Sequence, residues 1–347
     1  DLVTGVQTCA LPIFTATGVF RMMMALDRGG PELTTLEQLE IIEQISMGDA
    51  SAGWCAMICC DSGFYSGMME DSAAERLWPS LDSTQAGWIH PVGRAERVDG
   101  GYQLTGSWRF CSGSSFADNI AGGCLLYEDG VPVRINGRKQ WRLAIAPREN
   151  WTFDDNWHTL GLRGTASRNY RTRGDSLFVP EEHCVDLTQP KRPGTMWARP
   201  DTHLRKMAGV PLGVARGVID EVRSLIGSKV EKPSGIPFSA LGRLRIALAE
   251  SEMMLGSARS YVFSSLETQW EKITREEDLT LRERADVWLS RLNAFQTARH
   301  VTRLLFDTLG GDAIFSTYSG LERSLRDAET RSEEHTSELQ SPDHLVC

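Results

Sequence analysis

The chain lacks any apolar run of the roughly 18–20 residues that a membrane helix requires. Even the stretch from Phe20 to Leu26 is broken by Arg21 and closed by Asp27. No five like charges follow one another, and 37 Lys plus Arg stand against 46 Asp plus Glu, for a net charge of -9. That balance offers no basic surface to track phosphates, so neither a membrane nor nucleic acid is an expected partner. The eight cysteines, Cys59 and Cys60 adjacent among them, fit neither a disulfide framework nor a CxxC zinc pattern. Free thiols in a reducing cytoplasm are expected, and no metal. Also missing are GxGxxG after a strand, GxxxxGK[ST], HExxH and GxSxG, which removes the common dinucleotide, P-loop, metalloprotease and hydrolase readings. What remains is 347 residues, 41% of them hydrophobic, enough to build two or three domains with a core.

Both ends read differently from the middle. The tail Arg331–Ser341, RSEEHTSELQS, and the head Thr4–Ile13, TGVQTCALPI, back-translate to the two strands of one DNA that resembles a sequencing-library adapter. Residues 1–13 and 331–347 are therefore expected to be adapter-derived and are set aside from fold reasoning. The remaining 14–330 is expected to be a fragment of a longer gene, with activity impaired by the loss.

Residues 14–83 carry a helical pattern. Leu36, Leu39, Ile42, Ile45 and Met47 recur near helical spacing, with Thr34 or Thr35 as N-cap and Gly48 as the stop. The small-residue stretch Asp49 to Ala56 suggests a second, tightly packed helix. From 84 to 188 the texture is short strands and turns: Ala95–Val98, Gly101–Ser107, Ile120–Tyr127, Trp141–Pro147 and Asp175–Val179 read as strands. Within 189–330 long helical periods return at about 205–227, 238–273 and 281–309, the last ended by Gly310-Gly311. Three long helices call for a bundle, whose fourth member is expected beyond Asp327, where the adapter-like tail interrupts it.

The most informative block is Gly101–Ser115, GYQLTGSWRFCSGSS, followed by Trp157–Ser167, WHTLGLRGTAS. An aromatic-rich strand ending in small hydroxyl residues can stack a planar ring and offer a hydroxyl to its polar edge. A flavin isoalloxazine needs that combination. Trp108 and Phe110, two apart in a strand, can equally be core residues on one face.

The order helices, β domain, helical bundle over residues 14–327 resembles the acyl-CoA dehydrogenase superfamily, an α+β fold with a central small β-barrel or sandwich. The pieces GVFRMMMALDRGGPELT (18–34), DGGYQLTGSWRFCSG (99–113), NWHTLGLRGTAS (156–167) and FVPEEH (178–183) look most like oxygenase components of two-component flavin-dependent monooxygenases. The resemblance implies Phe110 and Trp157 around the isoalloxazine, with Trp108 beside them. It puts the hydroxyl of Ser112 at the flavin N5 and C4 carbonyl edge, and Ser167 as a second contact, with Ala166 where relatives carry glycine. Trp88, His90 and Pro91 of AGWIHPVG match a loop near the ring, His90 as a substrate or oxygen-adduct contact. Arg243 (or Arg245), after the KPSG turn at 232–235, is a candidate for the flavin phosphate of a neighbouring subunit. Gly310 and Gly311 stand where the family's last inter-helix turn approaches a cofactor.

The implied activity uses reduced FMN or FAD and O2, through a C4a-hydroperoxide, to hydroxylate an aromatic or polycyclic small molecule. A separate NAD(P)H-dependent flavin reductase and a homotetramer are the implied partners. The family's acid/base histidine, a few residues beyond the Arg326-Asp327 pair, falls in the adapter-like tail. The alternative is an FAD-dependent acyl-CoA dehydrogenase, whose TEPxAGSD-like motif has no counterpart in AGWIHPVG.

Overall fold

A computed structural model describes residues 12–231, 234–314 and 320–339, with side chains to Thr330. Lys232 and Pro233 of the KPSG turn and most of the adapter-like ends lie outside the described residues. The chain divides into two compact units: one holds residues 1–34, 55–158 and 163–204, the other 35–54, 159–162 and everything from 205. Among the described residues no helix is long and apolar enough to cross a membrane.

The first unit is built on sheets. Strand β1 (Gln85–Val98) pairs antiparallel with β2 (Gly101–Thr105) through the Asp99-Gly100 turn. β1 also pairs parallel with β4 (Asn119–Glu128). The main sheet runs β11 (Leu177–Pro180), β2, β1, β4, β8 (Trp141–Pro147), β12 (Cys184–Val185). Short strands β5 (Val131–Pro132), β6 (Arg134–Ile135) and β7 (Arg138–Lys139) lie between β4 and β8 in the chain. A second sheet joins β3 (Ser107–Cys111), β10 (Arg168–Thr172) and β9 (Trp151–Phe153). The expected single strand over Gly101–Ser107 is thus broken at Gly106, and its two halves serve different sheets. Strands β4, β8 and β11 fall within two residues of where they were read, β1 begins ten residues earlier, and β5 and β12 were not read as strands.

Trp108 lies in the core of this unit. Its indole is fully buried, stacks on Tyr170 at 5.5 Å, meets Trp151 edge-on at 5.3 Å, and donates from Nε1 to the Gly123 carbonyl at 2.8 Å. Gly93, Gly106 and Gly122 crowd that ring so closely that a Cβ on any of them would come within 2.2–2.8 Å of it. An indole this enclosed has no face left for a ligand, which corrects the reading of Trp108 as a flavin contact. Cys55, Cys59, Cys60, Cys111, Cys124 and Cys184 are free thiols, all but Cys184 buried.

The second unit is helical: α1 (Thr35–Gly48), α5 (Gly209–Ser228), α6 (Gly242–Thr274), α7 (Leu281–Leu309) and α8 (Leu321–Leu339). Helix α2 (Ala50–Cys59) leads from α1 into the first unit, where α3 (Asp61–Ser66) and α4 (Asp71–Leu77) follow. Leu39, Leu212, Ile219, Leu255, Val262, Val301, Leu305 and Leu321 are among the side chains of one core shared by these helices. Helix α7 has the range read from periodicity. It opens with a capping box in which Thr280 and Glu283 exchange hydrogen bonds, and Gly310 closes it at φ 65. Helix α6 starts at Gly242, a 3-10 turn at Phe238–Ala240 replacing its expected first residues. The bundle's fourth helix does not wait beyond Asp327: α8 begins at Leu321 and carries Asp327 in its second turn.

Candidate functional site

Strand β3 ends in an irregularity that sets the site. Phe110 adopts φ 59, a left-handed conformation that bulky residues rarely take, and the β3–β10 register shifts beside it. The regular alternation that would place Phe110 on the face of Trp108 is broken there. Trp108 goes to the core, whereas Phe110 stays half-buried. It meets Trp88 edge-on at 5.9 Å and Trp157 edge-on at 6.3 Å. Trp88 in turn packs against the His90 ring at 4.7 Å. The structure therefore gathers Phe110, Trp88, His90 and Trp157 into one half-buried aromatic group.

The stretch carrying His90 and Pro91 is a bulge within β1. Trp88 pairs with Gly122 and Gly93 with Cys124, so four residues of β1 face the single Gly123 of β4. Gly123 has no room for a side chain, because a Cβ would lie 2.1 Å from the Ile89 carbonyl and 2.5 Å from that of His90. Tyr170 fixes the start of the bulge: its hydroxyl accepts from the Trp88 N–H at 2.8 Å and donates to the Ala121 carbonyl at 2.5 Å. Burial holds the Tyr170 phenol well above its ordinary pKa, so it remains a donor. Nothing in its neighbourhood of sequence, RNYRT, marked Tyr170 as a supporting residue.

Just beyond Phe110 come two serines. Ser112 Oγ donates to Ser167 Oγ at 2.9 Å, and both are more than nine-tenths buried. The flanking backbone is tied down: the Gly113 N–H donates to the Thr165 carbonyl at 2.9 Å and Ser114 Oγ to the Ala166 carbonyl at 2.9 Å. Ala166 sits at φ 44, so alanine holds a left-handed turn here without glycine's conformational freedom. Ser167 accepts from Ser112 and keeps its own proton to donate.

The other sequence-derived candidates belong to the helical unit. Arg243, in the first turn of α6, is exposed and forms an ion pair with Glu231 at 2.8 Å, which holds that carboxylate below its usual pKa. Gly310 needs its positive φ to end α7, whereas among the described residues no atom lies where a Cβ on Gly310 or Gly311 would meet it.

Comparison with known proteins gives three findings. The sequence profile of the family "Acyl-CoA dehydrogenase, C-terminal domain" matches residues 206–337. An indole-3-acetate monooxygenase of Pseudomonas putida is 28% identical over 324 residues, covering 91% of this chain and 80% of that protein; the oxygenase subunit HsaA of a flavin-dependent monooxygenase from Rhodococcus jostii is 24% identical, covering 90% and 83%. The crystal structure of the 3-HSA hydroxylase from Rhodococcus sp. RHA1 has the same fold, with a TM-score of 0.83 at 21% identity over 96% of this chain and 90% of that one.

Proposed function

We propose, from the premise that the chain belongs to the acyl-CoA dehydrogenase superfamily and is similar there to oxygenase components of flavin-dependent monooxygenases, that it oxygenates an aromatic small molecule with reduced flavin and O2. The observation that carries this is the junction on β3 and its neighbours: a half-buried aromatic group of Phe110, Trp88 and Trp157 beside a buried pair of hydroxyls, Ser112 and Ser167. The pair fits a flavin because an isoalloxazine is apolar on its faces and carries donors and acceptors along one edge.

Bound reduced flavin supplies the two electrons that let O2 deliver one oxygen atom to the substrate and release the other as water. The chain's own residues shape where that happens. Phe110, Trp88 and Trp157 give apolar contact and exclude water from the ring. The Ser112 hydroxyl holds its proton on Ser167 Oγ, and the Ser167 proton is thereby directed to a ligand acceptor. His90, held against Trp88, contacts the substrate.

Arg243 meets the flavin phosphate of a neighbouring subunit, exchanging its Glu231 partner for the phosphate, and Gly310-Gly311 lie where a cofactor comes close. A homotetramer and a separate flavin reductase complete the system. Exposed apolar side chains on α6 and α7, Ile246, Met253, Leu281, Trp288 and Leu289, support association through these helices. The acyl-CoA dehydrogenase alternative is disfavoured, since the relatives reported are monooxygenases.

Anaerobic titration with reduced FMN or FAD, followed by quenching of tryptophan fluorescence, tests the reading. Saturable quenching that Phe110→Ala weakens by about tenfold is expected, from the loss of an aromatic packing partner. Absence of binding by either flavin would remove the proposal.

A further inference from the structure

The chain between Trp157 and Ser167 makes a four-residue excursion, Thr159–Leu162, that belongs to the helical unit. One turn of α8 grips it. The Leu162 N–H donates to Asp327 Oδ1 at 2.6 Å, and the Gly161 N–H donates to Thr330 Oγ1 at 2.7 Å. Arg326 Nη1 donates to the Leu160 carbonyl at 3.1 Å while Glu322 holds the same guanidinium from one turn earlier, at 2.8 and 3.1 Å. Thr330 Oγ1 itself donates to the Arg326 carbonyl at 2.8 Å, which fixes its rotamer with the lone pairs toward Gly161. Asp327 and Thr330, three apart, share one helix face. The approach is as close as backbones come: a Cβ on Gly161 would lie 2.3 Å from the Arg326 carbonyl oxygen.

Two adjacent peptide units, 160–161 and 161–162, are thus held by side chains of one helix. The backbone they hold is strained, Leu162 lying at φ 50 and Ala166, four residues on, at φ 44. Such conformations persist in non-glycine residues only where the surroundings over-determine them. Asp327 is 6% exposed, so its hydrogen bond with Leu162 competes little with water.

We propose that Asp327 and Thr330 are positioning residues, which from α8 fix the Thr159–Leu162 segment and so set the placement of Trp157 and Ser167 for flavin binding. This rests on the oxygenase reading for its consequence but not for the grip itself. Both act through backbone amides and touch no reacting atom.

Hydrogen–deuterium exchange of the 347-residue chain, without cofactor, reads the grip directly. In Asp327→Ala, exchange in peptides covering 157–167 should accelerate at least about tenfold, as expected for loss of a charge-assisted bond to a buried amide. Asp327→Asn keeps an acceptor for Leu162 and should restore protection; Thr330→Val should loosen the same peptides through Gly161. Anaerobic titration with reduced FMN then reads the consequence: the dissociation constant should rise about tenfold in the Ala variant and return toward wild type in the Asn variant. Unchanged exchange at 157–167 in Asp327→Ala and Thr330→Val, even with a lowered melting temperature, would overturn the proposal. So would accelerated exchange with flavin affinity intact, because the grip would then be structural only. If the wild-type chain binds no flavin, the oxygenase reading fails, and with it the positioning role, while the exchange data still decide whether the grip exists.

Discussion

Ala166 and Asp327 are the residues at which local physics makes the sharpest demands. Ala166 holds φ 44 without glycine's freedom. Ala166→Gly should therefore raise the melting temperature or leave it unchanged, against the usual trend for glycine, by relieving about 1 kcal/mol of left-handed strain; a clear loss of stability would show that the turn tolerates alanine without strain. Burial pushes the Asp327 carboxyl up to about 6, the Leu162 N–H opposing this and Asp49 adding to it, with Arg323 and Arg326 acting weakly the other way. Asp327, Asp49, Arg323 and Glu221 line one small cavity. Between the ordinary carboxylate value and about 6 the folded chain keeps a proton that the unfolded chain has released. The contribution of this group to stability is therefore complete below about pH 4 and is lost as the pH rises through about 6. Asp327→Asn lacks that dependence. Its melting temperature should gain on wild type between about pH 4.5 and about pH 7.5, and a difference that stays flat would contradict the assignment. Ser112→Ala removes a buried donor from Ser167, and product formation per bound flavin should fall about 10- to 100-fold at little cost in melting temperature.

Helices α1 and α5 meet through a stripe of glycines. A Cβ on Gly213 would stand 2.2 Å from the Glu43 carbonyl oxygen, and one on Gly217 2.4 Å from that of Met47. Gly213→Ala should destabilise the chain by about 1–3 kcal/mol through forced separation of the two helices, read as a lower melting temperature; an unchanged melt would mean the contact yields at no cost. In the sequence this stripe looks like ordinary small residues in a helix, because periodicity reports which face is apolar and not how near the partner backbone comes. The same limit applies elsewhere. The helical period and the closing Gly310-Gly311 made α7 legible, and the turn residues at 99–101 and 128–130 helped to bound β2 and β4. The left-handed Phe110 carries no glycine to announce it, so the separation of Trp108 from Phe110 was hidden. The grip of Asp327 on Leu162 joins residues 165 apart in the chain, a distance no local pattern spans. Trp88, Phe110, Trp157, Ser112 and Ser167 were read from a motif resemblance, and the structure brings the three aromatic rings into one group and the two serines into a hydrogen-bonded pair. Their supports, Tyr170, Thr330 and Asp327, act through backbone groups, which leave little trace in residue type.

The chain has a unit built on sheets that bears the aromatic group and the serine pair, and a helical unit most of which is similar to the C-terminal domain of acyl-CoA dehydrogenases. If α6 and α7 associate through Met253, Leu281 and Trp288, sedimentation should find tetramers, and Met253→Glu with Trp288→Glu should shift them to smaller species. A monomer at all concentrations would refute that part of the account. The chain is loaded anaerobically with reduced FMN or FAD, mixed with 18O2 and a set of indoles and phenols, and the products are weighed by mass spectrometry. A hydroxylated product carrying one 18O atom is expected, formed only with reduced flavin and suppressed in Ser112→Ala. Tight binding of oxidised FAD with oxygen-independent desaturation of an acyl thioester, and no 18O in any product, would contradict it.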